Sequence, residues 1–232
     1  MENLDTALDA ITEGLRAKLD AKNSARDAAL QRSRTLIRNC ANAIRAAHRG
    51  DFDDARDLLQ VAREAAREMV GDLDAYPDLY HAGYTQDALK EYVEAETVYA
   101  FIKGGELPTP EELEVEPAAY LKGLAEAASE MRRHSLDLMR QNRLERAEQI
   151  MAIMDEVYGR LLTIDYPDAI TGGLRRTTDM LRGVVERTRG DLTTALRQEM
   201  MRQLYKTRKR AVLKLYPDIT TEPWFSKKKS AE

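Results

Sequence analysis

Apolar residues along this chain recur at spacings of three and four, with no stretch of the strict alternation that marks a strand. Leu121, Leu124, Ala128, Met131 and Leu138, for example, fall on one side of a helix. Glycine and proline cut this pattern into segments. The spacing predicts a first helix over about residues 5–47, ended by His48-Arg49-Gly50 and open to a bend at Asn23-Ser24. A second follows from Asp51 or Asp53 to about residue 70, and a third from Pro77 or Thr85 through Ile102, stopped by Gly104-Gly105. Leu107-Pro108-Thr109-Pro110 interrupts the chain before a short turn at 110–113. Pro117 opens a fourth helix, a fifth spans about 144–164, and a sixth runs from about Ala169 beyond Tyr205. The reading is an all-α bundle of six to seven helices, several long, in one domain over 1–218 with a flexible basic tail at 219–232. Long amphipathic helices with few aromatic residues also predict burial against neighbouring subunits, hence an oligomer.

Composition agrees: 33% of residues are charged and only 6% aromatic, over 232 residues. Cys40 is the single cysteine, which rules out an internal disulfide and suits a reducing compartment. The first ten residues are acidic and carry no apolar run, and no stretch is long and apolar enough to span a bilayer, so the expected location is cytoplasmic and away from membranes. The net charge of −4 hides a segregation. Residues 51–116 hold 18 acids against 5 bases, 28–50 hold five arginines and no acid, and 197–232 hold 10 bases against 4 acids. Within 28–50, Arg34, Arg38, Arg45 and Arg49 are spaced 4, 7 and 4, on one helical face. Such a stripe can follow a phosphate backbone, or pair with the acidic region of a neighbour. Arg132 and Arg133 are secondary candidates for the same role, and the basic tail reads as solubilising.

The acids carry the sharpest chemistry. Glu91 and Glu94 are i,i+3 and in line with Val98 and Ile102; Glu126 and Glu130 are i,i+4 and flanked by Ala119, Gly123 and Ala127. Two readings are open. All four could be surface charges, with Glu130 paired to His134 one turn on. Alternatively, two helices packed face to face would gather four carboxylates, at high electrostatic cost unless a divalent cation neutralises them. A set of carboxylates without Cys or an obligatory His favours Mg²⁺ or Mn²⁺ over Zn²⁺.

The string L-K-E-Y-V-E-A-E-T-V-Y-A-F-I-K-G-G-E-L-P-T-P-E-E-L, then P-A-A-Y-L-K-G-L-A-E-A-A-S-E-M-R-R, D-Y-P-D-A-I-T-G-G-L-R-R and E-R-T-R-G-D-L-T, resembles the translin family over about residues 32–196. E-Y-V-E-A places it nearer the nuclease-bearing translin-associated factor X branch. The resemblance implies an all-α fold in a closed octamer that encloses RNA, and Mg²⁺-dependent endonucleolytic cleavage of single-stranded RNA. Glu91 and Glu94 match the paired glutamates of that branch, Glu126 stands where it has Asp, and Glu130 falls on the Glu of G-E-L. The implied roles are metal ligation by Glu91, Glu94 and Glu126, with Glu130 as a further ligand or as the base that orients water. A single chain that keeps these acids can form a homo-oligomer with a site in each subunit, and the family also works with a second translin-like chain. The rival readings are a non-catalytic binder of single-stranded RNA or DNA on the same fold, and a helical scaffold whose acids only solubilise it.

Overall fold

A computed structural model describes residues 2–215; the tail expected at 219–232 lies outside the described residues. Nine helices and no strand occur among them. Six are long: α1 (Glu2–Arg49), α2 (Phe52–Gly71), α4 (Gly83–Lys103), α6 (Pro117–Arg140), α7 (Leu144–Leu161) and α9 (Leu174–Leu215). Three are single turns that punctuate the connections: α3 (Pro77–Tyr80), α5 (Pro110–Leu113) and α8 (Asp168–Thr171). No described helix is long and apolar enough to cross a membrane.

The chain divides after Arg189 into two units. The second, from Gly190, is described as the remainder of α9 to Leu215, with most of its side chains exposed. All that follows concerns the first.

Local chemistry sets most helix ends where the sequence suggests. Thr109 caps α5 through a reciprocal capping box with Glu112, and Pro110 and Pro117 occupy first turns, where a missing N–H is harmless. Helix α1 runs unbroken through Asn23-Ser24. One expectation needs correction. The sixth expected helix is broken at Gly172-Gly173, which adopt φ of 60° and 86°. Two successive left-handed residues cannot continue a right-handed helix, so α8 and α9 are separate.

From Ala29 onward one face of α1 is buried, through Leu36, Cys40, Ala43 and Ala47. Its first half stays exposed, including Leu4, Leu8, Ile11, Leu15 and Leu19. The buried half packs with α2 around α4, which is enclosed on most of its circumference: Tyr92, Val93, Ala95, Thr97 and Val98 are all buried. Helix α6 lies against the far side of α4 and in turn against α7.

The approach of α6 to α4 depends on small residues. Ala119, Gly123 and Ala127 are all buried. A Cβ built on Gly123 would lie 2.6 Å from the Lys90 carbonyl oxygen and 2.7 Å from Val93 Cβ. The two backbones are therefore nearer than any other residue permits. The side of α6 that meets α4 is this small-residue face, with Glu126 and Glu130 beside it; of the apolar stripe, Ala128, Met131 and Leu138 are buried as expected and Leu121 and Leu124 are half-buried. The measurable consequence is that Gly123→Ala forces the helices apart. It should cost about 1–3 kcal/mol in urea or thermal unfolding, as overpacked cores do; an unchanged midpoint would show that the contact yields freely.

Candidate metal centre

Helix α4 presents Glu91 and Glu94, one turn apart, to the same side that receives Glu126 from α6. One carboxylate oxygen from each lies within 4.8 Å of the others. Oxygen ligands around a single Mg²⁺ or Mn²⁺ at about 2.1 Å stand roughly 3–4 Å apart, so small side-chain rotations would complete such a set. All three residues are half-buried. The donors are uniformly hard oxygen, a set that suits these ions better than zinc.

Lys90 moderates the repulsion. Its Nζ lies 3.1 Å from Glu91 and 2.5 Å from Glu126, with the side chain largely buried. Burial works against its charge, but the hydrogen bonds and charges of Glu126 and Glu91 outweigh it and leave its pKa raised. Glu94 receives no such partner. Burial, reinforced by the charges of Glu91, Glu126 and Glu130, pushes its carboxyl up to about 8, so at neutral pH it carries a proton.

Glu130 stands outside the trio. Its Oε1 accepts from His48 Nε2 at 2.9 Å, across 82 residues of sequence, and Arg133 is 3.8 Å away. His48 is only 3% exposed, and its Nδ1 has no hydrogen-bond partner among the described residues. The carboxylate at Nε2 places a ring proton there. The expected Glu130–His134 ion pair is not formed. Burial, with His48, Arg146 and Arg143 nearby, pulls the His134 pKa down to about 4, so that ring is neutral and makes a poor charge partner.

Arg34, Arg38, Arg45 and Arg49 are all exposed on one face of α1, as their spacing requires. Arg45 donates to Asn42 and Arg49 reaches Asp51 at 2.8 Å and Asp54 at 3.5 Å, so part of the acidic segment is paired within the chain. His48, which holds Glu130, lies between the last two arginines in sequence. Arg133 is exposed. Arg132 is half-buried and its guanidinium donates to Thr188 at 3.2 Å, which makes it a packing residue first.

Sequence reasoning missed Lys90 and His48 as parts of this site. Lys90 precedes Glu91 directly, but a lysine beside a glutamate is too common to signal anything. The His48–Glu130 contact is set by tertiary packing alone. Also unforeseen is the buried Glu96, which accepts from Arg63 at 3.0 Å beside Tyr92.

Glu94 yields a pH prediction. Its folded pKa of about 8 lies above its ordinary 4.5, so the folded state retains a proton that the unfolded chain releases. Stability of the metal-free protein should fall as pH rises across that window, on a scale of about 4 kcal/mol at about 1.4 kcal/mol per unit. Glu94→Gln should remove most of this slope and be the more stable protein at pH 8. Urea unfolding in EDTA from pH 5 to 8 measures it; parallel profiles for the two proteins would contradict a raised Glu94.

The same fold occurs in known proteins. No protein-family model matches the chain. An uncharacterised protein of Methanocaldococcus jannaschii is 31% identical over 187 residues, covering 80% of this chain and 82% of its own. Among solved structures, AfC3PO matches with a TM-score of 0.74 and 31% identity over 81% of this chain and 98% of its own. AfC3PO in complex with duplex RNA matches at 0.71 with the same identity, over 81% of this chain and 97% of its own. NeC3PO without ligand, at 23% identity and 0.72, over 79% of this chain and 96% of its own, shares the fold. At this identity and coverage, with the all-helical architecture in common, the chain belongs to the translin family, to which the C3PO proteins belong.

Proposed function

We propose that this chain is a metal-dependent endoribonuclease of the translin-associated factor X branch, cutting single-stranded RNA inside a hollow homo-oligomer in the cytoplasm. The observation that carries the proposal is the convergence of Glu91, Glu94 and Glu126 from two helices onto one point. AfC3PO has been solved with duplex RNA, which supports a nucleic-acid ligand for a relative of this similarity.

Glu91, Glu94 and Glu126 would hold Mg²⁺ or Mn²⁺. Bound there, such an ion lowers the pKa of its water and neutralises charge on the phosphoryl group during in-line attack. Glu94 gives up its proton to join the set, so ligation is favoured as pH rises. Lys90 competes for the Glu91 and Glu126 oxygens; once released, its ammonium stands beside the trio, where it can meet a phosphate oxygen. Glu130, held by the His48 N–H outside the trio, would be the base that orients an attacking water. The exposed stripe Arg34–Arg38–Arg45–Arg49 guides the strand, with binding that weakens as salt rises.

One observation favours a second reading, a non-catalytic binder of single-stranded RNA or DNA. Lys90 already satisfies two of the three carboxylates from within the chain. The deciding experiment incubates the purified chain alone with labelled single-stranded RNA, duplex RNA and single-stranded DNA, in Mg²⁺, Mn²⁺ or EDTA. Cleavage of single-stranded RNA in Mg²⁺ or Mn²⁺ is expected, abolished by EDTA. Glu94→Gln should reduce it by roughly 100-fold or more, because even groups behind a ligand are worth about 10–100-fold. Cleavage that persists in EDTA or in the variant would overturn the metal assignment, and binding without cleavage selects the second reading. Sedimentation of the same sample tests the octamer.

A further inference from the structure

At the end of the bundle where α1, α4 and α6 finish and α7 begins lies a cavity of about 340 Å³. His48, whose Nε2 holds Glu130, is in its wall, so the cavity adjoins the carboxylate site. Arg49, Lys103, Arg143 and Arg146 line it against a single acid, Asp137, which is itself 3.1 Å from Arg140.

Basic residues at helix C-termini have an ordinary explanation, since they offset the negative end of the helix dipole. Arg146 fits it, donating to the carbonyls of Phe101 and Ile102 at the end of α4. Magnitudes limit how far that explanation reaches. Arg49 is already held by Asp51 and Asp54; with three helix C-termini at about −0.5 each and the α7 N-terminus at about +0.5, Lys103, Arg143 and Arg146 against Asp137 still leave about +1. Arg143 goes the other way altogether. It is the N-cap residue of α7, where a cation opposes the dipole, and its exposed side chain has no ion pair or hydrogen bond among the described residues. The half-buried His134 shares the wall and registers the field, its pKa lowered to about 4 by burial, His48, Arg146 and Arg143.

We infer that this cavity is a phosphate subsite, in which Arg143 and Lys103 take one phosphate group of a nucleic-acid strand lying across the neighbouring carboxylates. The inference rests on the nucleic-acid reading above but not on cleavage. Phosphate in such a site is either an internal diester or a strand's 5′-terminal monoester, and the two share the chemistry that binds them.

The test uses the full-length Glu94→Gln protein in EDTA, so that neither metal nor cleavage intervenes. The chain has three histidines, which makes ring-labelled NMR tractable. Inorganic phosphate should shift the His134 resonance saturably and raise its pKa above about 4, leaving the exposed His81 unmoved. Short single-stranded RNAs with a 5′-hydroxyl or a 5′-phosphate should do the same; preference for the phosphorylated strand identifies a terminal phosphate, and equal response an internal one. Arg143→Gln should weaken each response about fivefold or more, and Lys103→Gln, on a different helix, should act alike. A His134 resonance indifferent to phosphate and to both RNAs, or unaffected by either substitution, would overturn the subsite. Should the wild-type protein fail to cut RNA while His134 still responds, the subsite stands and the nuclease reading falls.

Discussion

The near-contact of two helix backbones at Gly123 is what the candidate site depends on. Without a side chain there, α6 settles against Lys90 and Val93 of α4 and carries Glu126 to the two glutamates one helix away. Packing thus does work against electrostatics: van der Waals contact along Ala119, Gly123 and Ala127 holds together three acids that repel one another. The conflict is resolved in two ways within the chain. Lys90 places one positive charge between Glu91 and Glu126, and Glu94 keeps its proton. A dication bound here would relieve the remaining repulsion once Glu94 gives up its proton.

Much of this was legible in the sequence. The six long helices follow from apolar spacing and from the breakers at Gly50, Gly104-Gly105 and Pro117, because local sterics decide where a helix stops. The pairing of Glu91 with Glu94, and the small residues around Glu126, indicated which faces could meet. What the spacing could not convey is depth. On α6 the apolar stripe marked one buried side, through Ala128, Met131 and Leu138, but close approach favours the smallest residues, and the side that meets α4 and carries the acids is a second one. The Gly172-Gly173 break was also visible as a dipeptide but lost within a longer amphipathic pattern. Contacts between residues far apart in sequence, such as His48 with Glu130, leave no periodic trace at all.

The exposed arginine face on α1 ends beside His48, which holds Glu130 and also stands in the wall of the cationic cavity at the bundle end. His48 is therefore the residue that joins the acidic and basic halves of the site. Its burial and its single fixed hydrogen bond give it rigidity, and that rigidity keeps Glu130 apart from the three oxygens that converge. Family membership accounts for the fold. The chemistry has to be judged from these side chains.

The central claim is that Glu91, Glu94 and Glu126 together bind one hard dication. Calorimetric titration of the metal-free protein with Mn²⁺, at pH 7 in two buffers of different ionisation enthalpy, tests it most directly. The account predicts one ion per chain with close to one proton released, the proton coming from Glu94, and loss of both signals in Glu94→Gln. Binding without proton release, or binding that the substitution leaves intact, would contradict it.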